Sequence, residues 1–352
     1  MLAYGDAQRS YGRPPGPPLA ELHLHLGSAV DPAILYSIAH AQGIRLPSHG
    51  YWEFLDTITA TPDHVHTFQG YLDLFHLTEL VQSSPEAMQT VTHSVISSAY
   101  RHMNIDLLEL RYCPAKRNRG GERDLDHIIV ASLQGMQRAL LEYTDVQAGL
   151  ILCADRSLRP EVNEAITRKA IRYRSLGVIG VDLAGPVSSA FGGIREVGRL
   201  FRGVRDAGLG VTIHTGEMGT VDEVWEVVEH IKPQRIGHGI KAVQDWRLLD
   251  RLAKDGIVLE LCPTSNLRTG VVGDLEEWRR IFARLHEAGV RYTINTDGPQ
   301  MLCTDLMLER KLLLEAGILS PEQLAHADAT AREASFIPSD VPFVRNRAPV
   351  GI

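Results

Sequence analysis

The stretch Glu21-Leu22-His23-Leu24-His25-Leu26-Gly27 places two histidines at alternate positions of a short apolar run near the start of the chain. Side chains along a β-strand point to opposite faces in turn, so His23 and His25 lie on the same face of a strand. Two imidazoles at that spacing can bind one metal ion, but they do not complete its coordination sphere. The stretch therefore predicts a strand that carries part of a metal site.

Further ligand candidates stand at the ends of later apolar segments. They are His214 in Val211-Thr212-Ile213-His214, His238 in Arg235-Ile236-Gly237-His238, and Asp297 in Tyr292-Thr293-Ile294-Asn295-Thr296-Asp297. Imidazole and carboxylate ligands with one position open for water are typical of a catalytic zinc site, where the pKa of the water falls to about 7. On spacing alone, His238 is either a fourth imidazole ligand or a base that orients the water. Glu217, three residues after His214, is a candidate proton donor or shuttle.

Eight short apolar segments alternate with longer amphipathic stretches along the 352 residues. We predict strands over Leu19–Leu26, Leu107–Cys113, Val146–Cys153, Val178–Leu183, Gly210–His214, Arg235–Gly237, Ile257–Cys262 and Val290–Asn295. Helical patterns lie between most of them, including Val221–Ile231, Trp246–Lys254 and Glu276–Ala288. This alternation predicts an α/β fold, a parallel (β/α)8 TIM barrel. The long gap after the first strand holds helical stretches such as Glu53–Thr57, His66–Gln82 and Ser84–His102, so we expect a helical insertion there.

Polar residues collect where the predicted strands end. Active sites of TIM barrels lie at the C-terminal ends of the strands. The residues found at or just beyond these ends are His25, Cys113, Asp155, Asp182, His214, Glu217, His238, Asn266 and Asp297. Their shared location predicts one active site rather than scattered surface groups.

The composition narrows the class of partner. The net charge of −7 and the lack of a long basic block argue against nucleic acid or an anionic membrane surface. No apolar run is long enough to span a membrane, and the four cysteines lack the paired spacing of a disulfide framework. We therefore expect a cytoplasmic enzyme with a small-molecule partner, and the sequence leaves its oligomeric state open. We expect a flexible Pro-rich arm over residues 1–18, the barrel over 19–340 and a C-terminal tail over 341–352.

Six segments carry a more specific signal. They are His23-Leu24-His25-Leu26, Asp182-Leu183-Ala184-Gly185, His214-Thr215-Gly216-Glu217, Gly237-His238-Gly239, Cys262-Pro263-Thr264-Ser265-Asn266 and Asn295-Thr296-Asp297-Gly298-Pro299. In content and order they closely resemble the signature segments of the adenosine deaminase family, in the amidohydrolase superfamily. The resemblance runs from about Leu19 to Pro338. It implies an enzyme with one Zn²⁺ per chain that hydrolyses the 6-amino group of a purine nucleoside to give the 6-oxopurine and ammonia.

The resemblance also implies roles for individual residues. The metal ligands would be His23, His25, His214 and Asp297. Glu217 would protonate N1 of the purine, and His238 would stay off the metal and orient the attacking hydroxide. Gly185 would offer its backbone N–H to the ring, because a residue without a side chain permits close approach. The helical insertion would form a lid, in which four residues either line the mouth or pack in the core: Phe68, Tyr71, Leu72 and Phe75.

Two positions depart from the family pattern. The family usually has an Asp after the His-x-His-Leu pair, which contacts a ribose hydroxyl, where this chain has Gly27 followed by Ser28. It usually has an acidic or amide residue after the metal Asp, which bonds N7, where this chain has Gly298. Each lost hydrogen bond to a charged group costs about 1.5–3 kcal/mol unless another contact replaces it. We expect Ser28 and Gly298 to lie at the substrate, with Gln300 close enough to help.

These departures leave the identity of the substrate open. Adenosine is the expected substrate, and the alternatives are adenine or a 5′-modified adenosine such as aminodeoxyfutalosine. The two glycines remove side chains at the ends where the family grips the substrate, so a larger 5′-substituent should fit.

Other interpretations predict different residues. A purine-binding barrel without catalysis would have lost a ligand or Glu217, and this chain keeps them all. A different barrel hydrolase, which cleaves an amide, lactone or phosphoester with the same metal, is disfavoured by the His214-Thr215-Gly216-Glu217 segment. Val178–Pro186 also lacks the bridging carboxylated Lys that two-metal relatives usually require on strand four. A second His-x-His pair, His64 and His66, falls at the start of a predicted helix, where residues two apart face different directions. We interpret Cys113, Cys153 and Cys262 as buried thiols, since paired ligand spacing is lacking.

Overall fold

The computed structural model describes residues 13–61, 65, 67–118, 124–186 and 193–338. His64, His66 and the chain ends 1–12 and 339–352 lie outside the described residues, so the expectations for that histidine pair, for most of the N-terminal arm and for the C-terminal tail stay open. Among the helices within the described ranges, none combines the length and apolar character that a membrane crossing needs.

The predicted parallel barrel is confirmed. Its strands are β1 (Leu19–His25), β2 (Ile105–Tyr112), β3 (Gln147–Asp155), β4 (Val178–Ala184), β5 (Gly210–Thr215), β6 (Arg235–His238), β7 (Val258–Leu261) and β8 (Tyr292–Ile294). They pair in sequence order, and every pairing is parallel. Backbone hydrogen bonds close the cylinder just after β8, where the N–H of His25 donates to the carbonyl of Asp297 at 2.8 Å and the N–H of Asp297 donates to that of His23 at 3.0 Å.

The helical insertion after the first strand is also present. It comprises α1 (Leu26–Ala29), α2 (Pro32–Ala41), α3 (Tyr51–Ile58), α4 (Phe68–Val81) and α5 (Pro85–Met103). The sequence patterns did not predict α2, and they extended the first strand to Leu26, which in fact begins α1. Hydroxyl side chains fix two of the helix starts, because Thr67 caps α4 and Ser84 caps α5 by accepting backbone N–H hydrogen bonds.

The outer helices follow the remaining strands. They are α6 (Asp126–Glu142), α7 (Pro160–Arg172), α8 (Ile194–Asp206), α9 (Val221–Glu226), α10 (Trp246–Asp255), α11 (Pro263–Arg268), α12 (Leu275–Ala288), α13 (Pro299–Leu302), α14 (Leu306–Glu315) and α15 (Pro321–Ala334). Short 3-10 helices cover Pro114–Arg117, Arg174–Leu176 and Ile240–Gln244. The pattern over Val221–Ile231 predicted one helix, whereas α9 ends at Glu226 and a π-helical turn continues to Ile231.

The strands separate an apolar layer from a charged one. On β7, Leu259 and Leu261 belong to the main hydrophobic core under the helices, whereas Glu260 between them is fully buried on the other face. On β2, the leucines on either side of Glu109 join the same core. Because side chains alternate along a strand, the charged residues point into the barrel. The barrel interior is therefore polar, and its charged side chains lie beneath the residues at the C-terminal ends of the strands.

Candidate active site

The four predicted metal ligands converge at the C-terminal end of the barrel. His25 at the end of β1 has its Nε2 atom 3.0 Å from Nε2 of His214 on β5 and 3.5 Å from Oδ1 of Asp297, which follows β8. His23 places its own Nε2 atom 3.9 Å from the same carboxylate oxygen. Residues more than 270 positions apart therefore share one small volume, as the barrel predicts.

The state of these groups suits a cation. His23 Nε2 is buried and has no hydrogen-bond partner among the described residues. Burial, together with positive charge nearby, holds the pKa of His23 and of His25 well below the ordinary value, so both rings are neutral and offer lone pairs. An orphaned buried polar atom costs about 1–3 kcal/mol, which a bound metal ion would offset. Imidazole nitrogens plus one carboxylate are the donor set that zinc prefers.

Carboxylates orient two of the imidazoles from behind. Oε2 of Glu260 lies 2.7 Å from Nδ1 of His23, and Oδ2 of Asp182 lies 2.8 Å from Nδ1 of His214. A carboxylate at Nδ1 fixes the proton there and leaves Nε2 free for a metal, as in carboxylate–histidine–zinc sites. Sequence reasoning placed Asp182 in a motif but missed Glu260.

A buried ion network links those two carboxylates. Arg111 donates to Oδ2 of Asp182 at 3.1 Å and to Oε2 of Glu260 at 2.8 Å, and Arg235 donates to Oε1 of Glu260 at 2.6 Å. Burial alone would raise the pKa of Glu260, but the two guanidinium groups outweigh it and lower that pKa to about 2. The only sequence signal for this network is a charged residue between apolar ones on a strand, as with Glu260 between Leu259 and Leu261. The apolar run predicted a buried strand and gave no indication of the charge partners.

Glu217 lies beside the ligand cluster in a form that can hold a proton. Its carboxyl is buried, and burial and the nearby Asp297 raise its pKa well above the ordinary value. The side-chain N–H of Asn266 donates to Oε1 of Glu217 at 3.1 Å, and Nε2 of His238 lies 3.6 Å from its Oε2. A protonated carboxyl at this place can act as a general acid.

His238 is a neutral imidazole in a strained backbone conformation. Burial and the nearby His214 lower its pKa to about 3, although Asn266, whose Oδ1 lies 3.3 Å from His238 Nδ1, acts in the opposite direction. The backbone φ angles of His238 and Asp297 are 61° and 63°, in the left-handed region that non-glycine residues rarely adopt. Two overlapping sets of ligand atoms are compact enough for a metal: His23, His25 and Asp297, and His23, His214 and His238.

A cavity of about 490 Å³ opens above these groups. Helix α4 forms much of its wall, and the four insertion residues named from sequence, Phe68, Tyr71, Leu72 and Phe75, all line it. Gly185 also lines the cavity with a φ of 78°, and a Cβ atom there would clash with the carboxylate of Asp155. Only glycine fits this position, because both the backbone and the neighbour exclude a side chain.

Ser28 and Gly298 do not line the cavity. A Cβ atom at Gly298 would be 2.5 Å from the Tyr71 hydroxyl and 2.7 Å from the Ser28 hydroxyl, so those two groups already fill the space beside this glycine. The Ser28 hydroxyl donates to the carbonyl of His25 at 3.2 Å. The room expected from Gly298 is therefore occupied, and Gln300 is also absent from the cavity wall.

The comparisons with known proteins agree with this geometry. The sequence matches the adenosine deaminase family over residues 18–343. The adenine deaminase of Rhizobium leguminosarum bv. trifolii is 31% identical over 326 residues, which cover 90% of this chain and 94% of that protein. The aminodeoxyfutalosine deaminase of Acidothermus cellulolyticus is 34% identical over 318 residues, which cover 86% of each.

A solved structure shares the fold. An amidohydrolase from Burkholderia ambifaria with bound Zn superposes with a TM-score of 0.81 at 22% identity, and the match covers 92% of this chain and 87% of that one. The chain thus belongs to the adenosine deaminase family and is a hydrolase that acts on the C–N bond of a cyclic amidine.

Proposed function

We propose that the protein is a zinc-dependent deaminase that hydrolyses the 6-amino group of a purine nucleoside, adenosine or a related compound, to the 6-oxopurine and ammonia. The observation that carries the proposal is the convergence of imidazoles and Asp297 beside a buried Glu217, whose raised pKa favours the protonated form, in one cavity. A nucleophile source and a general acid on either side of a planar base are what hydrolytic deamination of a purine requires.

One Zn²⁺ per chain would be held by His23, His25, His214 and Asp297. When bound, zinc makes a water molecule nucleophilic at neutral pH. Glu260 and Asp182 hold two of the rings in the tautomer that presents Nε2. Because these ligands come from three separate parts of the barrel, β1, β5 and the segment after β8, the folded barrel preorganises the site.

Glu217 supplies the proton that activates the ring. A purine resists attack at C6 because its ring is electron-rich, and protonation of N1 makes C6 electrophilic. Burial and the neighbouring Asp297 raise the pKa of the Glu217 carboxyl well above its ordinary value, which favours the protonated form that can donate to N1. Asn266 fixes the carboxyl through its 3.1 Å hydrogen bond to Oε1.

His238 orients the attacking water. Its lowered pKa keeps the ring neutral, so one ring nitrogen is free to accept a hydrogen bond. Nδ1 faces Oδ1 of Asn266 at 3.3 Å, and with the ring proton on Nδ1 the accepting atom is Nε2, on the side of Glu217. Asn266 therefore couples the group that aligns the water to the group that protonates the ring.

The cavity favours a nucleoside over a bare base. Gly185 presents its backbone where the flat ring would approach, and α4 continues the wall past the ligand cluster toward the mouth. The cavity of about 490 Å³ lies within the roughly 300–1,000 Å³ range of sites that enclose a complete small-molecule ligand. Adenine and a 5′-modified adenosine are the alternative substrates, in keeping with the names of the two relatives. We place the reaction in the cytoplasm, where the four cysteines would remain reduced.

The test is a substrate panel assayed for ammonia release with zinc-loaded protein. The panel contains adenosine, adenine, 5′-methylthioadenosine and aminodeoxyfutalosine, with a lactone and a phosphotriester to represent the other barrel hydrolases. We expect a 6-aminopurine nucleoside to exceed adenine in kcat/KM by at least tenfold, which corresponds to about 1.4 kcal/mol.

Asp297→Ala is the matched variant for the panel. It should lose both zinc and turnover. Full activity in metal-free protein, two zinc ions per chain, or turnover of the lactone or phosphotriester alone would overturn the proposal.

A further inference from the structure

Arg117 is a buried cation in the wall of the cavity that the proposed mechanism does not use. It ends the short 3-10 helix after β2, is 1% exposed and lines the cavity. Its Nε and Nη1 atoms are buried and have no hydrogen-bond partner within the described part of the chain. A guanidinium carries five N–H donors and remains charged, so the cavity wall holds an incompletely hydrogen-bonded cation here.

Gly27 is the residue that makes room for Arg117. A Cβ atom at Gly27 would be 2.7 Å from Nη2 of Arg117 and 3.5 Å from the ring of Phe75. Gly27 stands two residues after His25, where the family pattern places the Asp that contacts a ribose hydroxyl. The chain therefore replaces a hydrogen-bond acceptor at the sugar end of the site by a hydrogen-bond donor.

The carboxylates nearby do not satisfy this donor. Glu79 pairs with Arg117 electrostatically, but the 3.7 Å between its Oε1 and Nη2 of Arg117 is too long for a hydrogen bond. The other acid on this side, Asp155, is taken by Lys116, whose Nζ lies 2.6 Å from its Oδ2. Because a buried charge is stable only when it is paired and hydrogen-bonded, the arrangement is complete only with a further acceptor from the cavity.

The orientation of the purine brings its sugar to this acceptor position. In the proposed reaction C6 faces the metal ligands and N1 faces Glu217, so N9 lies at the far edge of the ring and its substituent points away from the ligand cluster. Helix α4 borders that end with Phe75 and Glu79. A substituent carried on the sugar would thus pass Phe75 and end at Arg117.

We propose that Arg117 recognises an anionic group, a carboxylate or a phosphate, on the 5′ side of a 6-aminopurine nucleoside. The proposal rests on the proposed function and narrows its substrate class. Gly27 and Arg117 act as one unit, because the guanidinium occupies the space that any side chain at position 27 would enter.

The test compares two substrates that differ in charge and by one methyl group. They are a 5′-thioadenosine that ends in a carboxyalkyl group and its methyl ester, with AMP as the phosphate arm. For the parent protein we expect kcat/KM for the acid or for AMP to exceed that for the ester by about ten- to a hundredfold, the effect of a hydrogen bond to a charged group. The acid and AMP arms identify whether carboxylate or phosphate is the preferred source of the charge.

Three variants connect this preference to the guanidinium. Arg117→Gln should reduce the acid-to-ester ratio to near one, and Arg117→Lys should retain part of it. Gly27→Asp should reverse the preference toward the ester, because the new carboxylate pairs with Arg117 and repels an anion. The exposed Arg247 on α10 provides the control, since Arg247→Gln removes the same charge outside the cavity and should leave the ratio unchanged.

The outcomes separate this proposal from the proposed function. Equal kcat/KM for acid, AMP and ester in the parent, or an unchanged ratio in a folded Arg117→Gln variant, would overturn the anion subsite while purine deamination stands. If no purine is turned over, calorimetric binding of the 6-oxo acid and its ester gives the same comparison without turnover. Thermal unfolding of each variant verifies that it is folded.

Discussion

Replacing Glu260 by Gln tests whether the charged barrel interior holds the metal ligands. Glu260 is fully buried on β7, and its carboxylate lies 2.7 Å from Nδ1 of His23 while accepting hydrogen bonds from Arg111 and Arg235. Glutamine keeps the shape of the side chain, but it removes the negative charge and turns one acceptor into a donor that faces other donors.

Two magnitudes follow from these contacts. Breaking a buried pair by removing one partner costs about 3–5 kcal/mol of unfolding free energy. In the variant, Arg111 retains its ion pair with Asp182 and Arg235 retains its ion pair with Glu109. We therefore expect a cost at the lower end of that range. Loss of a carboxylate that orients a ligand His lowers metal affinity by about 10- to 100-fold. Glu260→Gln should therefore lose both stability and zinc affinity.

Glu109→Gln provides a matched control. Glu109 on β2 is equally buried and pairs with Arg235, but it has no contact with a ligand histidine. Urea unfolding of the chelator-treated protein measures stability, and competition with a chromophoric chelator measures zinc affinity. We expect both variants to be destabilised and only Glu260→Gln to bind zinc more weakly. Parental zinc affinity in Glu260→Gln, or an equal loss in Glu109→Gln, would refute the reasoning.

Two further predictions concern other buried carboxyl groups. Glu217→Gln should keep its zinc but lose about 10²–10⁴-fold in kcat, because the amide cannot protonate N1, and a variant within a few-fold of the parent would assign that proton to another group. Burial raises the pKa of Glu309 on α14 from 4.5 to about 7, so the folded state binds its proton more tightly than the unfolded state does. The protonated carboxyl of Glu309 stabilises the folded state in full below pH 4.5. This stabilisation falls by about 3 kcal/mol as the pH rises from 4.5 through 7. Glu309→Gln, which can still bond Thr264 and Thr304, should flatten the unfolding free energy over that pH window; a parental slope in urea titrations from pH 4.5 to 7.5 would contradict this.

The sequence was sufficient for the barrel because the relevant signals are local. A short apolar run between turn residues predicts each strand, and the alternation of strands with helices predicts their parallel order. The His-x-His spacing placed His23 and His25 on one face, and the barrel rule brought His214 and Asp297 to the same end. Helix α2 was not predicted, because successive helices without strands between them give no boundary signal, and the pattern over Val221–Ile231 did not separate α9 from the π-helical turn that follows it.

Local sequence patterns were enough to predict the fold and the reactive groups at the ends of its strands. The surroundings of those groups depend on contacts that form only in the folded chain. Glu260 meets His23 across 237 positions, Tyr71 fills the space beside Gly298, and Arg117 reaches the space left by Gly27. The physical reason is that periodicity fixes the direction in which a side chain points, whereas the partner it meets depends on packing between segments distant in sequence. The reactive groups could therefore be named from local patterns, and the contacts that select the substrate could not.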